Sequence, residues 1–292
     1  MTSDAAARPR LEPISPLEDL EFTRFQALIA ETSGIALGEV KRTLLAGRLG
    51  RRVRELGLPG FGAYYKRVVK APTGQELVRM IDLVATNETS FFREPTHFEY
   101  LAARVVPGWR AAAAAADRGR TVRVWSAACS TGQEPYSIGM LLLDQLPAIE
   151  GWAIEILGTD LSTRALQVAQ AGTWPVKQSA QIPPEYLQRF MQRGVGAREG
   201  QMRATPELRA TVRFERLNLH QDRWPSAGPF DLILCRNVLI YFSPEGARAV
   251  VRRLAERLVA GGYLFLGHAE AVHGAAAELR PVAPTMYRHA GP

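Results

Sequence analysis

From residue 122 onward, short β-rich runs alternate with helical stretches, and this alternation constrains the fold more than any other feature of the chain. VRVWSAA (122–128), AIEILGTD (153–160), VRFERLNL (212–219), FDLILCR (230–236) and YLFLGHA (263–269) read as strands. EPYSIGMLLLDQL, LSTRALQVAQAG and PEGARAVVRRLAERLV carry apolar residues every three or four positions and read as helices. Strands joined through helices run parallel in one sheet, covered on both faces, which predicts a doubly wound α/β domain. PTMYRH (284–289) is expected to add an edge strand. Residues 175–211 break the rhythm: they are polar, glycine-bearing and too long for a plain connection. They read as an inserted small β-subdomain with short strands around GVGAREG.

The first part of the chain has a different character. From Leu17 to Leu83 the pattern is helical throughout, with Gly34, Gly57 and Pro59-Gly60 where helices would stop. The expected organisation is a disordered tail over 1–16, an all-α N-terminal domain over 17–84, an interdomain loop over 85–95 and an α/β domain over 96–292. A helix is expected to start at Pro95 and run toward Val106, with the alanines 111–116 forming a helix end on the surface.

Ligands of doubly wound domains sit beyond the carboxyl ends of the strands. Ala127 to Pro135, AACSTGQEP, follows the first strand with small residues that let a ligand approach the backbone. Glu134 would there face a cation, not a phosphate, and GxGxxG and GxxxxGK[ST] are absent. Asp160 closes the second strand, where an acid can bond the hydroxyls of a ribose or cap the next helix. Asn218 closes the third strand and Arg236-Asn237 the fourth; a lone asparagine in such a place is commonly a turn residue.

Charge and cysteine content narrow the setting. The net charge of +7 suggests an acidic partner. Residues 41–54, KRTLLAGRLGRRVR, hold six Lys or Arg and no acid. At 100° per residue, Lys41, Arg48 and Arg52 fall in one stripe beside an apolar face of Leu45, Leu49, Val53 and Leu56. Cys129 and Cys235 lie far apart without a metal-ligand pattern, which suits a reducing cytoplasm and argues against disulfides and structural zinc. No apolar run approaches the ~20 residues of a membrane span, and the N-terminus lacks the look of a signal peptide.

Taken in order, ATNETSFFRE, SAACSTGQEPYS, ILGTDLS, LNL and FDLILCRNVLIYF resemble the CheR-type chemotaxis receptor methyltransferases over nearly the whole chain. The resemblance implies a Rossmann-like domain using S-adenosyl-L-methionine, with S-adenosyl-L-homocysteine as product, to esterify glutamates on methyl-accepting chemotaxis receptors. It implies that Asn87, Thr89 and Arg93 contact the cofactor or lie beside the reacting methyl group, that Glu134 holds its methionine end and Asp160 its ribose. Asn218 and Leu219 would flank the adenine, Arg236 and Asn237 would complete the cofactor contacts, and Tyr241 would lie near the methyl-transfer site; because the displacement needs alignment and no base, Arg93 and Tyr241 are then expected to orient the acceptor carboxylate. It also implies that the insertion corresponds to a β-subdomain which in some members binds a pentapeptide at the receptor C-terminus. The basic stripe, with Lys41, Arg48, Arg51 and Arg52, is then expected to meet a glutamate-bearing receptor helix. A cytoplasmic monomer is expected, with neither a nucleic-acid partner nor insertion into a membrane.

Two other readings compete. A nucleic-acid methyltransferase would suit the pI of 9.7, but Arg236-Asn237-Val238-Leu239-Ile240-Tyr241 stands where base-amino enzymes usually carry [DN]PP[YF]. A non-catalytic receptor-binding adaptor would be free to lose Asn87, Arg93, Glu134, Asp160 and Asn237, all of which are present.

Overall fold

The computed structural model describes residues 15–70, 74–222, 224, 228–270 and 274–291, so the expected tail lies outside the described residues except for Ser15 and Pro16. Contacts divide the chain into two compact units, one ending at Ala85 and the other beginning at Thr86.

The first unit holds four helices: α1 (Asp19–Ser33), α2 (Arg42–Glu55), α3 (Phe61–Lys70) and α4 (Gln75–Val84). Helix α1 starts in a capping box, in which the Glu18 N–H donates to Glu21, and it stops at Gly34 in the left-handed conformation (φ 75°). Leu45, Leu49 and Val53 recur every four residues along α2 and bury one stripe, as do Leu77, Met80, Ile81 and Val84 on α4. Phe22, Phe25, Ile29, Tyr64 and Val68 complete the core, each such side chain contributing about 1.5–3 kcal/mol when fully buried.

The acid-free stretch of sequence is not acid-free in space. Arg52 pairs with Glu76 of α4 at 2.8 Å and with Glu55 at 3.3 Å. Arg48 donates to the carbonyls of Val84 and Ala85, the last turn of α4, and Arg42 pairs with Asp19. Arg51 is 80% exposed and shares Glu55 at 3.0 Å, whereas Lys41 sits in the short 3-10 turn (Glu39–Lys41) before α2. Folding has thus given most of the stripe local partners.

The second unit starts with α5 (Pro95–Tyr100), a wide turn (Leu101–Val105) and α6 (Val106–Ala114). The helix therefore continues past the expected stop at Val106. Pro107 lacks an N–H and its ring crowds the fourth carbonyl back, and the wide turn before it relieves that clash. Then come β1 (Thr121–Ala127), α7 (Gln133–Gln145), β2 (Ala153–Asp160), α8 (Thr163–Ala171), β3 (Thr173–Pro175), α9 (Pro184–Phe190), β4 (Met191–Arg193), β5 (Gln201–Ala204), α10 (Pro206–Ala210) and β6 (Val212–Arg216). The chain closes with β7 (Phe230–Cys235), α11 (Pro244–Ala255), β8 (Leu258–Leu266), β9 (Leu279–Ala283) and β10 (Met286–His289).

The main sheet has the order β6-β2-β1-β7-β8-β10-β9. β6, β2, β1, β7 and β8 run parallel and β10 is antiparallel to both its neighbours. Trp125, Leu157, Ile233, Val250, Leu254 and Leu264 pack on one face; Val122, Val124, Ile138, Leu142, Ile156 and Phe265 pack on the other. Covered on both sides, the central strands read as apolar runs. One expectation is corrected: PTMYRH does not form the edge, because β10 lies between β8 and β9. The edge is LRPVA, whose Pro281 and mostly exposed residues hide the strand signal, and proline is tolerated at a sheet margin. The insertion forms a second, antiparallel sheet, β3-β5-β4, with residues 194–200 as the loop of the β4–β5 hairpin. Its first strand begins at Thr173, two residues before the expected boundary.

Candidate active site

Strand order reverses at β1, with β2 on one side and β7 on the other, so the loops leaving these strands splay apart there and open a crevice. The loop after β1 is made of small residues under unusual backbone demands. Ala128 (φ 68°), Ser130 (φ 51°) and Gly132 (φ 95°) all take left-handed conformations. A Cβ at Gly132 would lie 2.9 Å from the Ala169 Cβ, so only glycine lets the start of α7 pack on α8. Phe92 (φ 49°), Glu94 (φ 58°) and Asn237 (φ 58°) share this strain, so five of the seven left-handed non-glycine residues among those described line one set of loops. Such strain persists where surrounding contacts over-determine it, as they do at functional sites.

Those contacts centre on Arg236, whose side chain is 2% exposed. Its Nη1 donates to Glu134 Oε2 at 3.0 Å and its Nε to Glu94 Oε2 at 3.2 Å, while Nη2 reaches the Arg93 carbonyl. Glu134 also accepts from the Ser126 hydroxyl at 2.6 Å, and Glu94 from Asn237 Nδ2 at 3.2 Å. Burial would raise the Glu94 carboxyl, but the Arg236 charge and the bonds from Asn237 and the His268 N–H hold it below the usual carboxylate range. At the deeper Glu134, burial prevails over Arg236 and Ser126 and the carboxyl is raised. Burial, joined by the Arg236 charge, pulls His97 down to about 4 despite the nearby Glu94.

Glu270 holds the loop after β7. Its carboxylate accepts the N–H groups of Gly267 (2.7 Å), Asn237 (2.8 Å), Leu239 (2.6 Å) and Ile240 (3.3 Å). Tyr241, half-buried, ends the helical turn that this clamp starts. At the far side of the crevice, the buried Asp160 accepts Ser130 N–H through Oδ2 and Ser162 N–H through Oδ1, both at 2.8 Å. Asp160 therefore joins the β1 and β2 loops, and Ser162 is the N-cap of α8, accepting from the Ala165 N–H. Asn218 accepts the His220 N–H at 3.0 Å in an Asx turn, and Leu219 beside it is buried. The Asn87 carbonyl accepts from Ser130 Oγ at 2.9 Å, Phe92 N–H donates to Ser137, and Arg93 donates to the Glu88 carbonyl at 3.1 Å. Residues 87–94 are thus built into the second unit.

Residues 20–85 match the family profile described as CheR methyltransferase, all-alpha domain, and residues 87–287 match the one described as CheR methyltransferase, SAM binding domain. The chain belongs to the CheR methyltransferase family. It is 39% identical over 257 residues to the chemotaxis protein methyltransferase of Klebsiella aerogenes, covering 87% of this chain and 84% of that one. It is 39% identical to the chemotaxis protein methyltransferase of Escherichia coli strain K12 (87% and 85% covered). It is 36% identical to chemotaxis protein methyltransferase 2 of Pseudomonas aeruginosa (91% and 92% covered).

S-adenosylmethionine is accordingly the cofactor, and the donor set fits it. Glu94, Glu134, Asp160 and Glu270 set four largely buried carboxylates against one buried guanidinium, an excess that favours a cationic ligand. The Asp160 carboxylate, oriented by two N–H groups, suits a diol, and carboxylate oxygens accept more than one hydrogen bond each. The family assignment lends nothing to the nucleic-acid and adaptor alternatives.

Sequence reasoning named Arg236, Asn237, Glu134 and Asp160, and the structure gathers them around this crevice in two connected groups. It places Lys41, Arg48, Arg51 and Arg52 in the helical unit. Glu94, Ser130 and Glu270 were not singled out from the sequence and emerge only in the fold. Glu94 stood inside the quoted NETSFFRE, and an acid wedged before a proline was the available signal; Glu270 had none, since its partners are backbone groups distant in sequence.

Proposed function

We propose that this enzyme transfers the methyl group of S-adenosylmethionine to glutamate side chains on the cytoplasmic helices of chemoreceptors. In the displacement the carboxylate oxygen forms a bond to the methyl carbon as the carbon–sulfur bond breaks, giving a neutral ester and a neutral thioether. A glutamate with a pKa near ~4.3 is already ionised at neutral pH, so no proton moves and no general base is needed. What the protein must supply is alignment and exclusion of water.

The observation that carries the reading is Arg93. It belongs to the loop tied down by Arg236 and Ser130, it is half-buried, and its guanidinium rests on the Glu88 carbonyl at the loop surface. Arg93 and Tyr241 would orient the incoming carboxylate. Too tight a grip by Arg93 would stabilise the charged ground state more than the neutralising transition state. Asn87, Thr89, Glu134, Asp160, Asn218, Leu219, Arg236 and Asn237 would hold the cofactor. The inward turn of the Arg236 side chain favours a role for it in positioning Glu94 and Glu134. Labelled methyl transfer to membranes of the native host tests the acceptor chemistry: base-labile label on a receptor-sized band is expected, and base-stable label would overturn it.

For receptor capture, α2 and the turn before it offer Lys41, Arg48, Arg51 and Arg52, of which Arg51 projects its charge furthest into solvent. A second contact is the small sheet, where β4 is an outer strand able to accept an added strand from a receptor pentapeptide. A monomer working in the cytoplasm is consistent with this role, and no described helix is long and apolar enough to cross a membrane.

A further inference from the structure

Two histidines beside the crevice, His97 and His268, have no part in methyl transfer, and both flank Glu94. The Glu94 carboxylate, the His97 ring and the His268 ring place one ligand-type atom each within 4.8 Å of one another. His97 is the informative member, with a side chain only 1% exposed. The Thr285 hydroxyl donates to the Pro284 carbonyl at 2.7 Å, so His97 Nε2 is the donor in its 3.0 Å bond to Thr285 Oγ1. That fixes the neutral tautomer and leaves the lone pair on Nδ1. This buried atom has no hydrogen-bond partner and lies 3.4 Å from Glu94 Oε2. A buried lone pair beside a carboxylate is an unfavourable juxtaposition unless a cation joins them.

We propose that Glu94, His97 and His268 form a binding site for a divalent transition-metal ion of the zinc class. Two ligand atoms on one tetrahedral ion, each about 2.0–2.1 Å from it, lie roughly 3.4 Å apart, which is the His97 Nδ1–Glu94 Oε2 separation. His268 Nε2 is 4.0 Å from the same oxygen, and its ring, 58% exposed, has room to close the difference. Imidazole nitrogens and one carboxylate select zinc-class ions over magnesium or calcium. Three protein ligands leave a fourth position open on the solvent side of His268.

The outer contacts have the form that metal sites use. Thr285 orients His97 through the ring's other nitrogen; Arg236 and Asn237 orient the Glu94 carboxylate. Two carboxyl groups, Glu94 and Glu134, share the single Arg236 guanidinium, and the Glu270 carboxyl bonds the adjacent backbone, so the ion enters a region where acidic groups outnumber basic ones. Because Glu94 also holds Asn237 and the His268 N–H, occupancy would lock together the loops after β7 and β8. His268 stands 174 positions from Glu94, which is why no spacing motif announces the set.

The test uses the full chain, free of any affinity tag and dialysed against chelator, titrated with Co2+ by visible absorption and with Zn2+ by competition. Saturable binding of one ion with tetrahedral d–d bands is expected. His268→Ala, at an exposed side chain, should weaken it at least tenfold; Thr285→Val should weaken it about 10–100-fold as loss of an orienting partner does. His220→Ala and His289→Ala should leave it unchanged. Absence of saturable binding, or binding indifferent to His268→Ala and Thr285→Val, would overturn the proposal and leave a histidine–carboxylate contact only. Since the readout is metal binding, its failure is distinct from failure of the methyl-transfer reading.

Discussion

Replacing Arg236 by methionine gives the most searching test of how the crevice is held. The change keeps much of the side-chain volume but strands Glu94 and Glu134, whose side chains are 9% and 13% exposed, without their shared cation. Removing one partner from a buried ion pair costs about 3–5 kcal/mol, because the remaining charge cannot recover its hydration. For a unit of this size, 1 kcal/mol corresponds to about 2–4 °C in Tm, so a fall of roughly 10 °C is expected near neutral pH. The size of the defect should depend on pH. In the wild type Glu94 is held below its ordinary range, so its contribution is present above the unfolded pKa and is lost as pH falls through the lower folded value. In the variant both carboxyls lose Arg236 and rise. A folded state that takes up protons more readily than the unfolded chain gains stability as pH falls, so acidification relieves the variant while it does not help Glu94 in the wild type. Thermal unfolding followed by calorimetry at about pH 8 and about pH 5.5, above the ordinary carboxylate range, should show the gap between the proteins narrowing at the lower pH. An equal gap at both pH values would refute the idea that stranded carboxylate charge causes the loss.

Three further outcomes are expected. Arg93→Ala should cut turnover about 100-fold or more, with S-adenosylhomocysteine affinity changed only a few-fold, whereas Asp160→Ala should weaken that affinity at least tenfold by removing the bonds to Ser130 and Ser162; calorimetric titration of both variants compares them, and equal affinity losses would defeat the division of roles. Arg51→Glu should slow association with receptor-bearing membranes and flatten its salt dependence while leaving the melting temperature within about 2 °C, since only an exposed pair with Glu55 is lost; Arg52→Glu should also destabilise the helical unit, because it opposes Glu76. Immobilised receptor pentapeptide should retain the enzyme through the β4 margin, and failure to retain it would place this member among those that bind receptor without a tether.

The sequence by itself determined the layers. Runs such as FDLILC and AIEILGTD, separated by amphipathic helices, permit little besides a parallel sheet covered on both faces, because apolar strands must be buried on each side. It also located the rim of the crevice, since that rim must follow the strands' carboxyl ends, and its short motifs revealed the family. It did not show the β9 margin, where Pro281 and exposed residues leave no burial pattern to read. Above all, it could not show who partners whom. The stretch 41–54 is acid-free along the chain, yet Arg52 meets Glu76 across helices and Arg48 meets the end of α4. Arg236 reads in the sequence as a contact for a ligand; that it is also the buried cation joining Glu94, Glu134 and the Arg93 carbonyl is visible only in the fold. Composition and periodicity register which residues are buried, because burial follows hydrophobicity; they do not register pairing between distant charges and backbone groups, because that depends on the distances only the folded chain creates.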